Sequence, residues 1–346
     1  MFGLFKKREA EPNLRKGIEI GEFRNNALEA WIKLGETDPA LKFTDDDPDA
    51  LKFGGAYRGI PIQMDTVDNA SGFDVEATVP ECNLLRAATV AEKALAYRCI
   101  DHVCFKVPGV RGYFHPESGD LVLGVKCAGF EEQFRADTLI DLALFMLEDA
   151  VFEARTYLGL PAEPAERIKV EQWSGGYHFG EGLRTYSGAR DAFAAYMEKH
   201  EGCEEISRDG DSVLLQSGPV QYEVRGFGWP SGFMVQVATR GFRHVYGDDE
   251  RYVRVQERLS EVIRNPERPD EAGRNYRGPL SSSILYFQPD GTLVLGQYGF
   301  GNTRTDANRQ AFERIATAHM VDVYYMTYLA EELPEELYSD ERNRPN

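Results

Sequence analysis

The segment Phe114-His115-Pro116-Glu117-Ser118-Gly119-Asp120-Leu121-Val122-Leu123-Gly124 returns later in the chain as Phe287-Gln288-Pro289-Asp290-Gly291-Thr292-Leu293-Val294-Leu295-Gly296. A chain that repeats a turn and the strand after it is restricted to folds assembled from like units. Both copies carry turn chemistry, because Pro presets φ and Gly supplies the positive φ that a tight turn needs. Other matches follow in the same order. Ile60, Ile62 and Met64 alternate with polar residues as Val220, Tyr222 and Val224 do, and at the same separation Gly72-Phe73-Val75-Ala77-Val79 is matched by Gly232-Phe233-Val235-Val237. Alternation with period two predicts strands with one face on a core and one face wet.

Each half also closes on a helical pattern. Ile140, Leu144, Leu147, Val151 and Leu158 fall at helical spacing in the first half, and Phe312, Ile315, His319, Val323 and Met326 in the second. Thr156-Tyr157-Leu158 recurs as Thr327-Tyr328-Leu329. At the start of each half, Leu28, Trp31 and Ile32 share their spacing with Phe193, Tyr196 and Met197. The expected plan is helix, about three strands, a variable middle, a turn, a strand and a long helix, given twice. The middles differ: residues 83–98 are alanine-rich and helical, whereas residues 248–276 are charged, with a helix around Val253 to Ile263. The fold class is therefore α+β, two tandem repeats of an antiparallel sheet packed against helices. The expected boundaries are a flexible N-terminus over 1–22, a first domain over 23–159, a linker over 160–188, a second domain over 189–332 and a flexible tail over 333–346.

The order of elements resembles the type III secretion chaperone fold, and in particular the bacterial YbjN family, whose domains occur as tandem copies. The resemblance rests on the alternating strands 60–64, 73–79, 220–224 and 233–237, the turns before Leu121 and Leu293, and the helices over 137–158 and 306–330. It implies a non-enzymatic, acidic, cytoplasmic protein whose sheets or helices hold an extended segment of a partner. It also implies a pseudo-dimer within one chain, able to stand as a monomer. The unequal middle segment is a departure from two equal copies, and no functional residue carries over from the family.

Composition narrows the partners. Across 346 residues the net charge is -18, so the surface field repels phosphate backbones and anionic lipid; nucleic acid is not an expected ligand. Five cysteines, Cys82, Cys99, Cys104, Cys127 and Cys203, are scattered and odd in number, which reads as reduced thiols in a cytoplasm rather than a disulfide framework. No apolar run has the length of a membrane span, and the apolar-then-basic start MFGLFKKR offers at most a surface contact.

Gly296-Gln297-Tyr298-Gly299-Phe300-Gly301 reads as a glycine-rich loop between strand and helix, suited either to a tight connection or to an anion or nucleotide, although its order matches neither familiar phosphate motif. Cys99, His102 and Cys104 give C-x-x-H-x-C near a strand, short of the four ligands that zinc takes. His319, on an apolar helix face, reads as a buried hydrogen-bonded histidine. Asp45 to Asp47 and Asp248 to Glu250 read as solvated charge in loops, and Ser281 to Ser283 as a polar turn. The aromatic turn Gly226 to Gly232 and the linker aromatics present Phe227, Trp229, Trp173 and Tyr177 either as exposed anchors for a partner or as lids over the core. No catalytic, cofactor-binding or metal-binding residue is nominated. The expected function is a protein-binding module, chaperone-like or adaptor-like; a small-ligand or nucleotide-binding regulator using 296–301 is the alternative.

Overall fold

The computed structural model describes residues 20–47, 52–66, 72–128, 136–162, 187–218, 220–227, 232–240, 242–264 and 283–300, with 312, 313, 315–317, 319 and 323 of a helix near the C-terminus. The first half runs α1 (Ile20–Thr37), β1 (Leu41–Asp47), β2 (Lys52–Tyr57), β3 (Ile60–Thr66), β4 (Gly72–Asn83), α2 (Val90–Lys106), β5 (Val110–Phe114), β6 (Asp120–Ala128) and α3 (Ala136–Tyr157). The second runs α4 (Ser187–Glu201), β7 (Glu204–Asp209), β8 (Ser212–Ser217), β9 (Val220–Phe227), β10 (Gly232–Thr239), a single turn α5 (Arg243–Tyr246), α6 (Asp249–Arg264), β11 (Ile284–Phe287) and β12 (Leu293–Phe300).

The strands form two six-stranded antiparallel sheets whose orders coincide: β1-β2-β3-β4-β6-β5, and β7-β8-β9-β10-β12-β11. In each sheet four strands meander, a helix crosses over, and the last strand inserts beside the fourth. The tandem α+β plan expected from the repeat is therefore observed, with four strands rather than about three before the middle helix. The extra strands, β1 and β7, have little apolar alternation to announce them, because edge strands bury little.

The matched turns have matched geometry. Gly119 and Gly291 adopt φ of 74° and 77°. Each donates its N–H to the carbonyl three or four residues back, Gly119 to His115 and Gly291 to Gln288, both at 2.8 Å. Phe114 then faces Leu121, and Phe287 faces Leu293, in the following ladders.

Core packing follows the alternation. Ile62, Met64, Val75, Ala77, Val79, Leu121, Leu123 and Val125 are buried in one core with Ile140, Leu144, Leu147 and Val151 of α3. In the second half Tyr222, Val224, Phe233, Val235 and Leu295 are buried with Phe312, Ile315, His319 and Val323. Gly55 allows close approach at the first sheet, since a Cβ there would lie 2.1 Å from the Lys42 carbonyl and 2.8 Å from the Trp31 ring.

Two expectations change. The buried stripe of α1 is Ala27 and Trp31, with Ile32 48% exposed, while α4 buries Phe193 and Met197. The helices therefore correspond one residue away from the register read from their apolar spacing. The second sheet is also not wet on one face: Met234, Gln236 and Val294 are buried as fully as Phe233, Val235 and Leu295. The first half covers that face in part, with Gly109 placed against the ring of Tyr298 and Phe105 near Tyr286, ring centroids 6.4 Å apart.

Candidate functional site

Helix α2 begins at a capping box. Glu92 N–H donates to the Thr89 hydroxyl at 3.2 Å, and the Glu92 carboxylate accepts the N–H groups of Thr89 and Ala88 at 2.9 and 2.8 Å. Helix α6 is capped by Asp248, which accepts from Arg251 N–H at 3.1 Å. Counted from these caps, the two helices bury the same positions, Ala94 with Val253, Ala96 with Val255, Tyr97 with Gln256, and Ile100 with Leu259.

The helices also touch reciprocally. Lys93 pairs with Glu257 at 2.9 Å, and at the same two positions with the helices exchanged, Tyr252 lies under the guanidinium of Arg98, 5.0 Å from ring centroid. A contact made twice with its members interchanged is the pattern of a two-fold interface. Arg98 additionally stacks on Tyr246 at 5.6 Å and donates to Asp249 at 2.7 Å and to the Tyr246 carbonyl at 3.1 Å.

Under this helix pair the inner edges of both sheets are covered. Helix α2 sits close enough to β5 that a Cβ on Gly112 would meet Ile100 at 2.7 Å, and the Cys104 sulfur hydrogen-bonds the Gly112 backbone. Toward the other half, Asp101 accepts the backbone N–H of Phe287 in β11 at 2.9 Å. Its second oxygen accepts the Tyr252 hydroxyl, which in turn accepts from Gln256 Nε2 at 3.0 Å. Asp101 is 2% exposed. Burial pushes its carboxyl up to about 7, against the opposing pull of Tyr252, the Phe287 N–H, Gln256 and Arg98. Burial, with the Asp101 charge beside it, holds the Tyr252 hydroxyl well above its ordinary value.

The outer edges differ. β1 and β7 end their sheets at corresponding places, and among the described residues no further strand pairs with either. Both are bulged, β1 at Thr44 between Phe43 and Asp45, and β7 at Ile206 between Glu205 and Ser207. Every residue of β7 is exposed, Ile206 at 45%, and Phe43 of β1 is exposed at 46%.

The residues nominated from sequence fall as follows. Phe227 ends the interior strand β9, its backbone paired with Gly232 of β10. Trp229, Trp173 and Tyr177 lie outside the described residues. The stretch 296–300 is not a loop but part of β12, laddered to β10 from Gly232↔Phe300 to Thr239↔Leu293. Its glycines answer to packing: a Cβ on Gly296 would lie 2.6 Å from Met234 Cε and from the Val235 carbonyl, and one on Gly299 would lie 2.5 Å from Ile315 and 2.7 Å from Phe233. Backbone N–H groups held in a ladder are not turned toward a phosphate, and Gly301 lies outside the described residues.

Cys99, His102 and Cys104 lie on α2, which continues to Lys106, with Cys104 against strand β5 at Gly112. Cys99 and Cys104 are buried, while His102 bonds Glu153 at 2.9 Å and stacks on Tyr157 at 4.8 Å. Among the described residues no group of three or more His, Cys, Asp or Glu is placed to hold a metal ion. His319 is buried edge-on against Tyr222, ring centroids 5.2 Å apart. Asp45 to Asp47 belong to β1 rather than to a loop, and in the second group Asp248 caps α6 while Asp249 pairs with Arg98, both side chains remaining well exposed. Ser283 is buried and accepts from Gln297 at 2.7 Å.

Sequence reasoning missed Asp101, Arg98, Tyr252 and Gln256. A carboxylate inside the apolar run Cys99 to Cys104 was the available signal, since Asp is almost never fully buried without partners. No helix among the described residues is long and apolar enough to cross a membrane. The structure thus defines a tandem α+β protein with a built junction and, among the described residues, two outer edges that no further strand covers. No protein-family model and no curated protein matches the sequence.

Proposed function

We propose that the protein is a non-enzymatic binding module, chaperone-like or adaptor-like, that holds an extended segment of a protein partner along an outer sheet edge. The observation supporting this reading is the pair β1 and β7: two edge strands at the same place in two copies, each without a second, outer neighbour among the described residues. An edge strand presents a row of backbone N–H and C=O groups, which an extended peptide satisfies as an added strand, with side-chain pockets supplying specificity. The bulges at Thr44 and Ile206 twist the edges and interrupt the row, which suits a short, chosen partner over indiscriminate sheet growth. The kinship with type III secretion chaperones and YbjN-like proteins, and a cytoplasmic place of work, belong to this proposal; the order helix, strands, helix, strands, helix in the first half, with a second sheet of the same order, supports the former.

A photo-crosslinking side chain placed at Phe43 or Ile206 is expected to capture a discrete protein partner in cells, and one placed at the exposed turn residue Glu117 is not. The adduct from Phe43 should vanish when Thr44→Pro removes an edge donor while far-ultraviolet dichroism stays unchanged. Adducts that are absent at both edges, or that survive the proline, would overturn the reading.

A further inference from the structure

We propose that the junction between the two halves is proton-linked through Asp101, so that the halves hold each other more firmly at mildly acidic pH than at alkaline pH. Asp101 is the one residue of α2 whose side chain accepts from two elements of the other half, the Phe287 N–H of β11 and the Tyr252 hydroxyl of α6, while being 2% exposed itself. Opening the junction returns this carboxyl to water. A carboxyl that titrates at about 7 when closed and near 3.8 when open stabilises the closed form fully below the lower value, and that stabilisation is lost as pH rises through the upper one.

The surroundings leave Asp101 as the group that changes in that window. From α2 it is faced by Arg98, Cys99 and Cys104; from α3 by Tyr157; from α5 by Tyr246; and from α6 by Tyr252, Gln256 and, through Arg98, Asp249. A hydrogen bond with Cys82, together with burial, raises the Cys99 thiol, and burial raises the Cys104 thiol and the tyrosine hydroxyls, Tyr246 to about 12, so they stay neutral across neutral pH. Arg98 stays charged throughout. His102, next along the helix, turns instead to Glu153 and Tyr157.

The hydrogen bonds make the two protonation states distinct. Gln256 donates to the Tyr252 oxygen, and the Tyr252 proton is then free to go to Asp101 only when the carboxyl offers a lone pair there. Ionised Asp101 is thus fully bonded but desolvated; neutral Asp101 is relieved of desolvation and must reverse its bond to Tyr252. The junction passes between two bonded arrangements with the gain or loss of one proton.

Hydrogen exchange of peptides spanning 249–264 and 284–300 in the full chain, corrected for intrinsic rates, reads the opening constant directly. Between about pH 5.5 and about pH 8.5 it is expected to rise about thirtyfold in the wild type, from the two titration values above. In Asp101→Asn it should stay flat, while in His102→Gln the rise should persist. Carboxyl carbon resonances of the wild type should show one Asp titrating near neutrality, shifted further upward in Tyr252→Phe, which removes a donor to the carboxylate. An equal rise in Asp101→Asn, or no aspartate titrating above the ordinary range in the wild type, would overturn the proposal. The carboxyl titration decides it even if Asp101→Asn does not fold.

Discussion

Gly55 and Gly59 are close in sequence and carry different constraints. Gly59 adopts φ of 81° in the β2–β3 turn with open space where a side chain would go, whereas a Cβ on Gly55 would strike backbone and the Trp31 ring. Gly55→Ala is therefore expected to lower the urea unfolding free energy by roughly 1–3 kcal/mol or more, as overpacking against atoms that cannot yield does. Gly59→Ala should cost only the strain of a left-handed residue, on the order of 1 kcal/mol. A Gly55 variant as stable as the Gly59 variant would mean that Trp31 does not rest on the sheet at that point. Sequence inspection could not rank the two, because the difference lies in what α1 and β1 bring to each glycine from elsewhere in the chain.

At the scale of elements, α2 shows what local signals convey. Its capping box is written as Thr89-Val90-Ala91-Glu92, and Thr89→Ala is expected to cost about 0.5–2 kcal/mol in chemical unfolding. Hydrogen bonds from the Thr89 backbone and side chain and the Ala88 backbone hold the Glu92 carboxyl below its ordinary value. Its contribution is present above the unfolded value and fades as pH falls through the folded one. The Thr89→Ala penalty should accordingly shrink in acid, and a penalty that grew there would contradict the capping geometry. The strands and turns named by alternation, around Ile62, Val75, Tyr222 and Val235, were legible because one face of each lies on a core. β1 and β7 were not, since LKFTDDD and EEISRD carry too few apolar residues to show a period. The second half of β12, from Gly296, was read as a loop because its glycines signal flexibility in a sequence, yet here they admit Phe233, Met234 and Ile315.

Across the whole molecule, the duplication was legible and the junction was not. Repeats show themselves to any comparison of the chain with itself, but Asp101, Tyr252 and Phe287 come from three separate elements that only the tertiary fold brings together. Because these groups and the Arg98 stack join the halves through buried contacts, thermal unfolding is expected to be a single cooperative transition with calorimetric and van't Hoff enthalpies in agreement. Replacing the stack, with Arg98→Ala and Tyr252→Leu together, should split that transition in two while each sheet keeps its strand signature. A single transition in the double variant would place the coupling elsewhere.

The reciprocal packing of α2 on α6 carries one more consequence. In a dimer of identical chains every interfacial side chain must serve from both sides of the axis, so a buried carboxylate would appear twice and its two charges would interact. Covalent tandem copies are released from that obligation: counted from the helix caps, Ser260 stands where its twin has Asp101. An asymmetric tether of this kind senses acidity with one proton, and its response should follow a simple, non-cooperative titration curve.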